Sequence, residues 1–242
     1  MRRKTGRTII AGLIAACACG LFAVSASAAP PITGWHVKIS NLTTGQPFSP
    51  PLWAIHDKKD HLWQVGHQAT NGAALIAEDA AAAPLAALLQ KDPHVLGSAI
   101  ALPPITDPVT PPPIPPGGTR EFDIGTRGKF DRVSMIWMLV RTNDGFSGLD
   151  SLHIGAYNGK KGKKSNKKKL KDRNITVGAY DAGTEKNNEN GDYIPGPPFN
   201  HFFVRDMDAQ FIAPHPGLSA NGQLAQYAWT DPVARIEVTR IK

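Results

Sequence analysis

The stretch WHVKISNL, residues 35–42, opens with large apolar and polar side chains in strict alternation. A period of two is typical of a strand that buries one face. Near the other end of the chain, Ile236 and Val238 repeat the alternation, and Ile241 follows after a slip of one residue. We therefore expect the first and last strands of the domain to pair in one sheet.

Several short segments between these ends are rich in β-branched and aromatic residues and are separated by Gly, Pro, Asn and Asp. This pattern is typical of a mainly β protein built as an antiparallel β-sandwich. The predicted strands are residues 35–42, 52–56, 133–140, 152–157, 174–180, 201–204 and 234–241.

Two stretches depart from the strand pattern. Residues 72–90 are dense in Ala and Leu at helical spacing and are interrupted by Pro84, which predicts two short helices on an edge of the sandwich. Residues 103–118 contain eight prolines and two glycines, too many for a helix or a central strand. We interpret this second stretch as an extended surface connection within one domain.

The first 28 residues have the pattern of an export signal. A positive start (Arg2, Arg3, Lys4) precedes an apolar run over 9–24 and the small-residue cleavage pattern 26–28. The prediction is a signal peptide at 1–28 and a mature domain at 29–242, secreted or periplasmic. An alternative is a lipoprotein anchored at Cys17, since residues 14–17 resemble a lipobox.

Both cysteines, Cys17 and Cys19, lie inside the predicted signal. The mature domain therefore offers no disulfide framework, thiolate nucleophile or cysteine-ligated zinc. No other stretch of the sequence has the length and apolar character of a transmembrane helix. Roughly 210 mature residues suit a single domain with its own core.

The formal charge of +7 comes largely from two places. Without the four cations of the predicted signal, 23 Lys and Arg face 20 Asp and Glu, and nine of those cations lie within 160–173.

We expect residues 159–173 to form a solvated, lysine-rich loop. Either it has no partner, or it binds polyanions such as acidic polysaccharides. It contains no aromatic residue for base stacking, so no specific nucleic acid is expected. The candidate polyanion-binding residues are Lys160, Lys161, Lys163, Lys164, Lys167, Lys168 and Lys169.

Two short acidic loops each follow a strand-like segment. The first is TNDGF at 142–146 and the second is YDAGTE at 180–185. Carboxylates at strand ends, with glycines that let the backbone turn inward, suit a hard cation such as Ca²⁺. Each loop taken alone is more typical of an ordinary turn than of a metal site.

Several motifs together resemble the bacterial spondin-domain proteins, whose domain is also found in F-spondin and mindin. The resemblance runs from about Trp35 to Arg240, and the two acidic loops are its most specific parts. The motifs are NLTTGQPFSPP at 41–51, AED at 77–79, PLA at 84–86, NDGF at 143–146, residues 179–185, IPGP at 194–197 and HPG at 215–217.

The resemblance implies a C2-like β-sandwich that holds one Ca²⁺ at one end and serves in adhesion. It assigns the ion to Asp144, Asp181 and Glu185, the last of which replaces an aspartate of the animal proteins. Glu is one methylene longer, so a different carboxylate geometry is expected there. The repeat modules and cysteines of the animal proteins are absent from this chain.

The sequence thus predicts an exported, non-catalytic, monomeric module that binds Ca²⁺ and an extracellular or cell-surface ligand. Two alternatives stay open: a polyanion-binding surface protein that acts through the lysine-rich loop, and a metal-dependent hydrolase. For catalysis, there is no Gly-x-Ser-x-Gly motif, and no histidine or acid partner is apparent for Ser134 or Ser147.

Overall fold

The structure is a computed structural model that describes residues 32–102, 112–156 and 171–241. Ten strands and two α-helices lie in these ranges. The strands are β1 (Thr33–Asn41), β2 (Leu52–His56), β3 (Val95–Ile100), β4 (Thr119–Thr126), β5 (Arg132–Met138), β6 (Gly145–His153), β7 (Arg173–Val177), β8 (Ala179–Asp181), β9 (Ala213–Pro214) and β10 (Ala234–Arg240), and the helices are α1 (Asn71–Asp79) and α2 (Ala83–Leu89).

The strands form two antiparallel sheets, which confirms the mainly β sandwich. One sheet has four strands in the order β4-β1-β10-β7, and the other has six in the order β3-β2-β5-β6-β8-β9. The first and last strands pair as predicted, with Val37 opposite Val238 and Ile39 opposite Ile236. Ile241, on the far side of the slip, lies beyond β10 and is exposed.

The main core lies between the two sheets. It is filled by the inward residues of β1 and β10 together with those of β5, of which Trp137 is fully buried. A second apolar cluster lies on the other face of the six-stranded sheet, under the helices, and includes Trp63, Ile76 and Phe146. The ring of Trp63 lies edge-on to Phe146 at 5.0 Å.

The two predicted helices are present on either side of the interruption near Pro84. Thr70 caps α1 by accepting the backbone N–H of Ala73, and Ala80 ends it in the left-handed conformation. Helix α1 packs on β5 and β6, and α2 packs on the edge strand β3. Neither helix in the described ranges has the length and apolar character needed to cross a membrane.

Three predicted strands need correction. Residues 152–157 were expected to form a strand of their own, but residues 152 and 153 are the end of β6, which begins at Gly145. Residues 174–180 divide into β7 and β8, which belong to different sheets. Residues 201–204 form a turn, and Phe202, Phe203 and Val204 expose much of their surface.

Two predictions fall outside the described residues. The signal peptide at 1–28 is one of them. The other is the candidate polyanion-binding set from Lys160 to Lys169, within the lysine-rich loop.

Candidate functional site

The first acidic loop is a tight turn between β5 and β6. The Leu139 N–H donates to the Gly145 carbonyl at 2.8 Å, and the Thr142 hydroxyl donates to the Leu139 carbonyl at 2.7 Å. A Cβ on Gly145 would lie 2.5 Å from Thr142 Oγ1, so the turn requires glycine there. The turn fixes Asp144 at the entry to β6, where the residue is fully buried.

The second acidic loop begins where β8 ends. Asp181 lies opposite Gly145 in the β6–β8 pair, which brings the two loops side by side. Asp181 Oδ1 accepts the Gly183 N–H at 2.6 Å, and Asn187 Nδ2 donates to Oδ2. Gly183 has φ +71°, and a Cβ there would lie 2.7 Å from the backbone of Gln210. This turn carries the chain back over Asp144.

Asp144 joins the two loops through one of its carboxylate oxygens. Oδ2 accepts the Thr184 N–H at 2.7 Å, the Thr184 hydroxyl at 3.1 Å and the Glu185 N–H at 2.9 Å. Oδ1 is buried and has no hydrogen-bond partner among the described residues. Burial, together with the charge of nearby Asp181, raises the pKa of Asp144 to about 6.

Glu185 adjoins Asp144 through its backbone N–H, which donates to Asp144 Oδ2. The residue is 3% exposed, and its Oε2 is buried without a hydrogen-bond partner in the part of the chain that the structure describes. Its Oε1 lies 3.7 Å from Arg205 Nε. Burial, followed by the charges of Glu78 and Asp144, raises the pKa of Glu185 to about 8. At neutral pH, Glu185 is therefore largely protonated.

An arginine and two further acids adjoin this pair, and the sequence did not predict their roles. Arg205 Nε donates to Glu78 and Arg205 Nη2 donates to Asp79, both near the end of α1. The Phe203 N–H also donates to Asp79 Oδ1, at 2.8 Å. These contacts tie α1 to the loop that carries Arg205. The only sequence signal was the AED motif at 77–79, which formed part of the family resemblance without an assigned role.

The three predicted calcium ligands are neighbours but do not form a ready-made metal site. Across the parts of the chain that are described, no three His, Cys, Asp or Glu side chains are grouped so as to hold a metal ion. Asp144 interacts electrostatically with both Asp181 and Glu185. Two buried carboxylate oxygens, one on Asp144 and one on Glu185, still lack partners. Carboxylate oxygens are the ligands that Ca²⁺ prefers, so the donor set fits this ion.

A serine–histidine pair that the sequence did not indicate lies inside the six-stranded sheet. Ser134 Oγ is 2.7 Å from His56 Nε2, and His56 Nδ1 is 2.7 Å from the Asp57 carbonyl oxygen. Both side chains are fully buried. Ser134 also accepts the Ser151 N–H at 2.7 Å, and it donates to Asp150 at 3.2 Å. The pair crosslinks β2, β5 and β6, and a substrate has no access to it in this arrangement.

Beside the acidic loops, the segment formed by residues 202–211 exposes several large apolar side chains. Glu185 forms an isolated β-bridge with Met207 of this segment, and the Asp208 N–H donates to the Thr184 carbonyl at 2.8 Å. The segment is therefore held against the second acidic loop. Its exposed apolar residues are Phe202, Phe203, Val204, Met207 and Phe211.

Comparison of this chain with models of known protein families and with curated proteins found no match.

Proposed function

We propose that this chain is an exported calcium-binding module of the spondin type, which binds an extracellular or cell-surface ligand and performs no catalysis. The observation that carries the proposal is the pair of buried, unpartnered carboxylate oxygens on Asp144 and Glu185. An unpaired buried polar atom costs free energy, and a bound cation removes that cost. The sequence resemblance supports the same assignment.

Asp144, Asp181 and Glu185 are the residues that would hold Ca²⁺. Without a cation, burial raises the pKa of Asp144 and that of Glu185, and the charges of neighbouring carboxylates add to the effect. The bound ion supplies two positive charges that offset this repulsion and join the two loops. Because the loops converge only in the folded chain, binding stabilises the native state.

The exposed apolar segment supports a binding role. Large exposed apolar patches mark interaction surfaces in soluble proteins. Phe203 is 70% exposed, yet its backbone is held by Asp79 and its neighbour Arg205 is held by Glu78. The ligand-binding surface that we assign to this segment therefore adjoins the calcium residues.

The burial of the only serine–histidine pair seen in the described ranges supports the non-catalytic part of the proposal. A nucleophile must reach its substrate, and both Ser134 and His56 are 0% exposed. The pair also has a structural role, since Ser134 contacts the backbone of Ser151. We assign this pair to the stability of the sheet.

The proposal is tested by a calcium titration followed by thermal melting. At a calcium concentration 100 times the Kd, we expect a stabilisation of about 2.7 kcal/mol, or about 5–10 °C in Tm for a domain of this size. The matched control is Asp123→Ala, which removes an exposed acid on β4 and should leave the calcium shift intact. Identical melting in calcium and in chelator would refute the proposal.

A further inference from the structure

A second cluster of charged residues lies at the opposite end of the six-stranded sheet. It lines a cleft of about 420 Å³, within the range of roughly 300–1,000 Å³ that is typical of ligand sites. Four cations line it: Lys58, Lys59, Lys129 and Arg132. Arg132 begins β5, whereas the turn with Asp144 follows the end of that strand. A strand of seven residues separates the two ends by about 20 Å.

The two acids of the cleft already have partners. Asp57 accepts hydrogen bonds from Lys129 at 2.9 Å and from the Lys59 N–H at 2.9 Å, and His94 Nδ1 lies 3.0 Å away. These contacts hold the pKa of Asp57 well below its usual range. Asp131 lies 3.1 Å from His153 Nε2. The acids are thus paired within the cleft.

Three of the cations retain unused hydrogen-bond donors. The ammonium groups of Lys58 and Lys59 form no ion pair with any described residue, and both residues are exposed. Arg132 Nη1 donates to the Ser151 carbonyl at 2.9 Å, while its Nε is buried and has no hydrogen-bond partner within the described ranges. The cleft therefore presents the ammonium donors of Lys58 and Lys59 together with the positive charge of Arg132, whose Nε is enclosed by protein.

We propose that this cleft binds a sulfate or phosphate group carried by an acidic polysaccharide. Tetrahedral oxyanions accept several charge-assisted hydrogen bonds at once, and Arg beside Lys supplies such donors. Among the described residues, no Phe, Tyr or Trp lines the cleft to stack nucleobases, and its one imidazole, His153, is paired with Asp131. This favours a sugar chain over single-stranded nucleic acid. The site is independent of the proposed calcium centre because the two lie at opposite ends of β5.

The experiment measures binding of a sulfated heparin tetrasaccharide by calorimetry, across a range of salt concentrations. Lys58→Ala with Lys59→Ala should weaken binding by about tenfold or more, and should reduce the slope of log K against log salt by about one for each cation removed. The matched control is Lys91→Ala with Arg235→Ala, which removes two exposed cations outside the cleft. It should change the affinity less than twofold. The melting temperature of each variant checks that it folds.

Further probes separate the sources of the anion. Inorganic sulfate should compete with the tetrasaccharide, and an uncharged cello-oligosaccharide should not bind. Equal losses in the cleft and control variants would overturn the proposal, because binding would then follow overall charge. Loss of binding only when residues 160–169 are deleted would overturn it in favour of the lysine-rich loop. An oligonucleotide that binds more tightly than the tetrasaccharide would overturn the polysaccharide assignment.

Discussion

Asp144 accepts the backbone N–H of Glu185 at 2.9 Å, across 41 positions of sequence. The same oxygen accepts the Thr184 N–H at 2.7 Å. One side-chain oxygen of the first acidic loop therefore anchors the backbone of the second. The other oxygen of Asp144 has no hydrogen-bond partner within residues 32–102, 112–156 and 171–241. Anchoring and candidate ion binding thus belong to two different atoms of one carboxylate, and substitutions can separate them.

Asp144→Asn should separate these two roles. The amide oxygen can still accept the N–H groups of Thr184 and Glu185, and the charge that repels Asp181 is gone. We expect the Tm measured in chelator to be no lower than that of the wild type. The calcium-induced shift should fall to near zero. Asp144→Ala, which removes the acceptor as well, should lose a further ~1–3 kcal/mol because buried N–H groups are left unpaired. A full calcium shift in Asp144→Asn would contradict the ligand assignment.

Glu185 makes the calcium-free protein less stable as the pH rises. Its folded pKa of about 8 lies above the ordinary value of 4.5, so the folded state binds more protons than the unfolded state between these values. This contribution is complete below about pH 4.5 and is lost as the pH rises towards 8. Melting in chelator from pH 5 to 8.5 should show a wild-type Tm that falls relative to Glu185→Gln. Parallel curves for the two proteins would exclude the raised pKa.

Among the charged residues near the acidic loops, Arg205 should contribute most to the free energy of unfolding. Its guanidinium pairs with Glu78 and Asp79, whose side chains are 7% and 3% exposed. Breaking a buried pair by removing one partner costs about 3–5 kcal/mol, so Arg205→Ala should lower the free energy of unfolding by that amount. Urea denaturation measures it.

The matched control is Lys186→Ala. Lys186 pairs with Asp206 at 2.7 Å, but its side chain is 59% exposed. An exposed pair contributes about 0–1 kcal/mol, so this variant should unfold close to the wild type. Equal effects of the two substitutions would show that the Arg205 network is as exposed to solvent as the Lys186 pair.

The lysine-rich loop yields a separate prediction for stability. If residues 160–169 are a solvated insertion, deleting them with a short Gly-Ser connection should leave the Tm unchanged. The deletion should also leave the calcium shift unchanged, since Asp144 and Asp181 lie outside it. A large drop in Tm would show that the loop packs on the domain.

Strands were predictable from the sequence where their local pattern matched their tertiary environment. Alternation in Val37 and Ile39 identified β1 because one of its faces is buried and the other is half-exposed. Strand β6 was missed at its start because Gly145 and Gly148 resemble turn residues. A Cβ on Gly148 would lie 2.1 Å from the Met135 carbonyl oxygen, so this glycine permits the close approach of β5.

Strands β3 and β4 were not predicted, because their sequences show only weak strand patterns. Strand β3 is partly exposed at every position, so it shows no alternation. Strand β4 follows the proline-rich stretch and carries charges on its exposed face. Residues 201–204, in contrast, were predicted as a strand and are not one. The stretch HFFV has strand-like composition, but it stays exposed, and Phe203 has φ +62°.

The candidate site was only partly predictable for a physical reason. Asp144 and Asp181 stand in turns with glycine, and such turns have a local signature. The pairing of Arg205 with Glu78 and Asp79 joins positions 126 and 127 residues apart, and it depends on how α1 lies across the sheet. The unpartnered oxygens of Asp144 and Glu185 likewise depend on burial, which no local pattern reports.

Within the described residues, the direction of β5 separates a cationic group from the acidic loops. Arg132 and its neighbouring lysines lie at one end, and Asp144, Asp181 and Glu185 lie at the other. We expect a negatively charged surface to attract the end of the described domain that carries these cations. The acidic loops and Phe203 then point away from that surface, towards whatever approaches from solution. The direction of β5 therefore determines which end of the described domain faces the solution.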